Sequence, residues 1–266
     1  MDNKNLKNKL NGKVQNIQNE KENTTNTEET SLTTVDSDYA ALTNNALDII
    51  NENLKNQPLS YQLFDTIKSP SGGITSFSVP SLSGEDMEKE LTGIILDYTT
   101  PRAYWDTPDP IEGTPPTCYS KDSIISHPDG KPCSRCVYND FGSKNNGGGD
   151  SLAKACKESV ALFLLRPDNI MPVIVRIPVS SKLIFQRYMI RLIGKMIPIS
   201  GVVTKITLEK ATSREGKPYA LYNFEMVSQL NSDEAANAKA FGQKFTEILN
   251  ADEIEIPDIP DVKEAV

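Results

Sequence analysis

The chain has 266 residues, 38% of them hydrophobic, and 28 Lys and Arg against 36 Asp and Glu give a formal net charge of -8. That length allows one sizeable core plus extra segments, and the low apolar share places a polar excess outside it. No apolar run approaches the roughly eighteen residues that cross a bilayer, and the Asn-, Lys-, Glu- and Thr-rich stretch Met1 to Asn26 lacks the apolar centre of a secretory signal, so a protein of a reducing cytoplasm without membrane contact is expected.

Residues 1–57 are rich in Asn, Thr, Lys and Glu, and up to residue 60 nine acids outweigh six Lys for a net charge of -3. Such a segment buries too little surface to offset its chain entropy. It is expected to be a disordered polar arm, with Leu42, Leu47, Ile50 and Leu54 forming a nascent helix at most. The stretch from Ser69 to Ser83, rich in Ser, Gly and Pro, reads as a linker inside a folded domain expected over 58–250.

From Leu91 onward the pattern turns to short β-like runs bounded by Pro or Gly: Leu91 to Tyr98, Arg102 to Trp105, Val160 to Arg166, Met171 to Pro178, Gly201 to Lys210 and Pro218 to Val227. Within Gly201 to Lys210, Val202, Thr204, Ile206 and Leu208 share one face and Val203, Lys205, Thr207 and Glu209 the other, the period of a half-buried strand. The following link, Ala211 to Lys217, contains Gly216 and predicts a hairpin. Ser181 to Lys195 has no Pro and predicts a helix, with apolar Leu183, Ile184, Tyr188, Ile190 and Leu192 beside a basic stripe of Arg187, Arg191 and Lys195. A second helix is predicted from Asp233 to Leu249, capped by Asn231 or Ser232. Residues 251–266 hold six acids, one Lys, Pro257 and Pro260, and are expected to form an unstructured acidic tail of net charge -5.

Four cysteines stand at Cys118, Cys133, Cys136 and Cys156. In a reducing compartment they are metal ligands or free thiols before they are disulfides. A Cys-x-x-Cys knuckle wraps two thiolates round one tetrahedral Zn²⁺ while the other ligands arrive from separate segments. Ser126 to Pro132 before the knuckle and Gly142 to Gly149 after it are turn-forming sequence without a core of their own. A loop of that kind, about 110–156, needs a staple, and metal binding supplies one. The spacing therefore predicts one structural Zn²⁺ site, with His127, the only histidine, as an alternative fourth ligand. A redox Cys-x-x-Cys pair opens a helix in a βαβ unit, whereas these flanks are Pro and Gly. A zinc deaminase needs a His-x-Glu partner, and no Glu stands near His127.

Charge is segregated along the chain. Residues 151–220 hold twelve Lys or Arg against four acids, net +8, between the acidic ends. A basic block of this kind points to a polyanionic partner. Short strands, a helix between Pro178 and Pro198 and then a long hairpin fit a mainly β, α+β fold: a small, partly open barrel of the OB type, with the cysteine loop inserted. Such barrels bind single strands with basic grooves and aromatic faces. The candidate nucleic-acid residues are Arg102, Tyr104 and Trp105 in one run, Arg176, Arg187 and Arg191 in the middle of the basic block, and Lys205, Lys210, Arg214, Lys217, Tyr219 and Tyr222 around the hairpin. The competing role for each aromatic is core packing, and for each hairpin cation a solvated rim. Phosphodiester hydrolysis uses clustered carboxylates on two metals, and the basic block offers only Glu158, Asp168, Glu209 and Glu215 without an Asp-x-Asp motif, so no enzyme is expected.

With the cysteine loop, the polar arm and the acidic tail, the arrangement from 91 to 266 resembles the helix-destabilising single-stranded DNA-binding proteins of bacteriophages. The run Gly201 to Lys210, continuing through Gly216-Lys217-Pro218-Tyr219 and Phe224-Glu225-Met226-Val227, is similar to the end of the OB barrel in such proteins from phages and mobile elements of Gram-positive bacteria. The resemblance implies a sequence-independent coat for single-stranded DNA in replication or recombination, in the cytoplasm of a bacterial host cell. It also implies that the tail, Asp252 to Asp261, recruits replication and recombination proteins. The phage type ligates zinc with three Cys and one His, whereas four Cys and a spare His are present here. The alternative is a zinc-stabilised replication or transcription accessory factor binding duplex DNA or protein.

Overall fold

The computed structural model describes residues 39, 46–55, 57, 61–107, 114–127, 129–145, 153–167, 169–213 and 216–251, all within a compact unit spanning Thr34–Val266. In chain order the elements are helix α1 (Ala46–Leu54), strands β1 (Thr66–Ile67), β2 (Phe77–Ser81), β3 (Gly84–Glu88), β4 (Glu90–Thr99), β5 (Arg102–Tyr104), β6 (Cys118–Ser120), β7 (Lys157–Leu165) and β8 (Val173–Pro178), helix α2 (Val179–Ile193), strands β9 (Val202–Thr212) and β10 (Pro218–Gln229), and helix α3 (Ser232–Ala251). The predicted strands and both predicted helices are present, with ends shifted by a few residues.

The protein is mixed α+β, built on a curled half-barrel sheet compatible with a partly open β-barrel. Five strands run antiparallel in the order β8-β7-β4-β9-β10, β1 joins β8 in parallel, and β5 extends β7 and carries β6. Strand β4 is the pivot: it pairs with β9 through Glu90–Ile94 and with β7 through Ile94–Thr99. A register shift between Ile95 and Asp97 marks a bulge on the β7 side, and a bulge raises local twist and bends the strand.

Both faces of this sheet are covered, which explains why Val160 to Leu165 reads as an unbroken apolar run. Inside the curl, Val160, Leu162 and Leu164 meet Leu91, Ile95, Val175, Ile177, Ile206 and Tyr222. On the outside, Ala161, Phe163 and Leu165 join Ile94, Leu96 and Ile174 beneath Ala238, Phe241 and Phe245 of α3. Full burial of one such aliphatic or Phe side chain stabilises by about 1.5–3 kcal/mol. Two glycines are required by close approach: a Cβ on Gly93 would stand 2.3 Å from the Leu165 carbonyl oxygen, and one on Gly242 would stand 3.0 Å from that of Leu96, in the bulge.

The stretch read as a linker, Ser69 to Ser83, holds strand β2 and the turn into β3 of a hairpin. Phe77 and Val79 enter the inner core while β3 lies exposed. Phe77 packs edge-on to Tyr222 at 5.7 Å, and Gly73 lies against Pro218. The segment from β1 to β2 thus bridges the two free edges of the curl. Ser, Gly and Pro around two alternating apolar residues disguised the strand. Within the segment read as a disordered arm, Ala46–Leu54 is helical, and Tyr39 and Ile50 are buried against the outer core.

Helix α2 follows Pro178 and buries Ser181, Phe185, Tyr188 and Leu192, four positions at helical spacing. Leu183 and Ile190, assigned to its apolar face by pattern, are instead 54% and 66% exposed; Ser181 takes the inward place because its hydroxyl accepts the Tyr222 backbone N–H at 3.0 Å. Helix α3 starts on a capping box: the Asn231 Oδ1 accepts the N–H groups of Asp233 and Glu234, and Glu234 accepts that of Asn231. The acidic tail beyond Ala251 lies outside the described residues.

Candidate metal centre and nucleic-acid interface

The four cysteines come from three segments of the excursion between β5 and β7. Cys118 opens β6 opposite Tyr104. The chain then folds back through bridges of Tyr119 with His127 and Ile125 with Pro132. The Cys133 N–H donates to the Ile124 carbonyl at 2.8 Å, and Cys133–Arg135 forms a tight 3-10 turn, closed by the Cys136 N–H on the Cys133 carbonyl at 3.3 Å. That carbonyl also accepts the Asn139 side-chain amide at 3.1 Å. A second 3-10 turn, Val137–Asn139, presents the Tyr138 carbonyl to the Cys156 N–H at 2.8 Å. The last cysteine is thereby pinned beside the knuckle.

All four thiols are free. Burial pushes the Cys118 thiol up, and the charges of Cys136 and Cys133 push it further. Burial likewise drives Cys156 to about 12; Arg102 opposes this, and Cys136, Cys118 and Cys133 add to it. Neighbouring thiolates therefore disfavour the charged forms of Cys118 and Cys156, a repulsion that a cation would relieve. Among the described residues no three His, Cys, Asp or Glu side chains stand together as a metal-binding group. By donor type alone the four thiols suit a soft-ligand cation such as zinc, with Cys133 and Cys136 supplied by the knuckle. His127 lies flat against Tyr119, ring centroids 5.1 Å apart at 10°, so stacking already accounts for its position.

The residues assigned to nucleic acid divide into buried and exposed sets. Arg102 is 8% exposed; it pairs with Glu158 at 2.8 Å and its Nε donates to the Ser123 hydroxyl at 3.0 Å. Lys182 grips the other Glu158 oxygen, so this carboxylate ties β5, β7 and α2 together. Arg176 is 3% exposed, with its guanidinium over the Tyr61 ring at 5.4 Å. Tyr222 is wholly buried, and its hydroxyl donates to the Arg176 carbonyl at 3.1 Å. These three serve the fold. Tyr104 stacks on Tyr138, centroids 3.8 Å apart at 15°, and the Trp105 indole N–H donates to the Thr114 carbonyl at 2.8 Å.

Lys210 and Lys217 are exposed at the far end of the β9–β10 hairpin with Tyr219 half-buried beside them, whereas Arg214 lies outside the described residues. Lys205 pairs across the strands with Glu225 at 2.8 Å. Arg187 and Arg191 are exposed on α2. Sequence reasoning missed Phe141, which is 77% exposed with the Lys154 ammonium 4.5 Å from its ring centroid. The signal for it was an aromatic five residues past the knuckle, following Val137 and Tyr138 in a loop of polar and turn-forming residues.

No family model, curated protein or solved structure matches this chain. No helix among the described residues is long and apolar enough to cross a membrane.

Proposed function

We propose that this chain is a sequence-independent single-stranded DNA-binding protein that coats DNA during replication or recombination in a bacterial host, as in a phage or mobile element. The observation that carries the reading is where the basic and aromatic residues fall on the strand order. With β4 counted first, then β7, β8, α2, β9 and β10, the antiparallel order β8-β7-β4-β9-β10 suits the five-stranded, partly open barrel of an OB fold. OB barrels hold oligonucleotides with the face of strands two and three and with the loops joining strands one to two and four to five. Those two loops are here the cysteine excursion, with Tyr104, Trp105 and their neighbours, and the β9–β10 turn, with Lys210 and Lys217. Fold alone would be weak support; chemistry at those two loops is what single strands require. The outer face of β7 and β8 is covered by Phe64, Tyr61 and α3, which directs the proposed contacts to the loops.

In this reading Cys118, Cys133, Cys136 and Cys156 hold one structural Zn²⁺ that closes the first of the two loops. The acidic tail recruits partner proteins of replication or recombination. Labelled single-stranded and duplex oligonucleotides titrated at two salt concentrations test the proposal. Single strands are expected to bind more tightly, with affinity falling as salt rises, and Lys210→Glu is expected to weaken binding to every sequence and flatten that slope. Equal or tighter binding of duplex favours the accessory-factor reading instead.

A further inference from the structure

The turn after the cysteine knuckle exposes more apolar surface than its packing accounts for. Val137, Tyr138 and Phe141 are 66%, 39% and 77% exposed, and they lie within five residues, the first two on the 3-10 turn Val137–Asn139 and Phe141 on the turn that follows. The turn is nevertheless held firmly. The Tyr138 ring lies face to face with Tyr104 of β5, and its carbonyl accepts both the Cys156 N–H and, at 2.9 Å, the Ser143 hydroxyl. Lys154 is fixed as well: its ammonium donates to the Asn139 side-chain oxygen at 3.0 Å while standing 4.5 Å from the Phe141 centroid. Arg135 and Lys144 are exposed on the same turns, against the single exposed acid Asp140.

We infer that Phe141, backed by Lys154 and three residues on from Tyr138 of the Tyr104–Tyr138 stack, is a base-stacking platform for single-stranded nucleic acid on the cysteine loop. This rests on the function proposed above and names a contact of that site. An exposed aromatic ring offers a π-face to any base, so it suits a ligand read without sequence preference. A base laid against Phe141 brings its phosphate towards an ammonium already held at the ring, and a cation at an aromatic face is itself favourable. The patch is too small and too basic for an apolar protein helix but complementary in charge to a polyanion.

The test uses the full chain with Phe141→Ala, Phe141→Leu, Phe141→Trp and Lys154→Gln, titrated with labelled oligo(dT) over a range of salt. Phe141 is exposed, so thermal melting of its three variants is expected to match the parent. Loss of the ring in the Ala and Leu variants is expected to weaken binding about tenfold with the salt slope unchanged, while Trp retains affinity. Lys154→Gln is expected to lower the slope by about one phosphate contact. Parental affinity in both Ala and Leu variants overturns the platform and leaves the patch to a protein surface, while the single-strand preference of the parent would still stand. Parental affinity in Leu alone reduces Phe141 to a greasy contact and overturns stacking. A parent without preference for single strands overturns both readings.

Discussion

The half-barrel sheet and the cysteine loop are held together by different physics. In the sheet, strand β7 alone buries six consecutive apolar side chains, Val160 to Leu165, alternately on two cores. Between Thr114 and Asn145 the only buried apolar side chain among the described residues is Cys133, while Ile124, Ile125, Val137, Tyr138 and Phe141 are exposed. The loop is organised by polar contacts, chiefly the Asp122 carboxylate, which accepts the Ser120 hydroxyl and the N–H groups of Ile124 and Ile125. Those bonds hold its carboxyl below the usual range, against the effect of burial. Hydrogen bonds exposed to water each add only about 0.5–1.5 kcal/mol net. The zinc proposed above would cross-link a region without a core, whereas the half-barrel sheet has its own.

That contrast can be broken from either side. The largest effect is expected from Leu162→Ala, which opens a cavity in the inner core and is expected to lower global stability by about 2–5 kcal/mol in urea unfolding; a change confined to the loop would contradict a shared inner core. Next comes Cys136→Ser or removal of metal by a chelator. Purified protein is expected to carry about one zinc per chain and the variant none, with hydrogen exchange rising over 114–145 and unchanged in β4 and β7. His127→Ala is expected to retain the metal, since a ring stacked on Tyr119 is not needed to close a site of four thiols. Finding no zinc in the parent would remove the cross-link from the account. The smallest effect is expected from Asn231→Ala, which removes the cap of α3 and costs about 0.5–2 kcal/mol, read as a modest drop in melting temperature with zinc content intact.

How much of this was legible in the sequence follows the same division. Strands with strong period, such as Val202 to Lys210, and the long helices announced themselves because their burial is local in sequence. The β2–β3 hairpin did not, since only Phe77 and Val79 carry its core and their partner, Tyr222, lies 145 positions away. Tyr222 and Arg176 looked like surface groups for the same reason: what buries them is a distant segment, the β1–β2 bridge for one and Tyr61 for the other. On α2, counting apolar residues put Leu183 and Ile190 inward, while a hydroxyl needed by the β10 backbone decided the rotation. The cysteine spacing proposes a ligand set because ligand geometry is written in sequence intervals; the exposed Phe141 was passed over because exposure is not.

The most direct measurement is hydrogen exchange of the full protein with and without a saturating single-stranded oligonucleotide, alongside a duplex of the same length. The account predicts protection of the β9–β10 turn and of residues 133–145 with the single strand and little change with the duplex. Protection confined to other segments, or equal protection by the duplex, would contradict it.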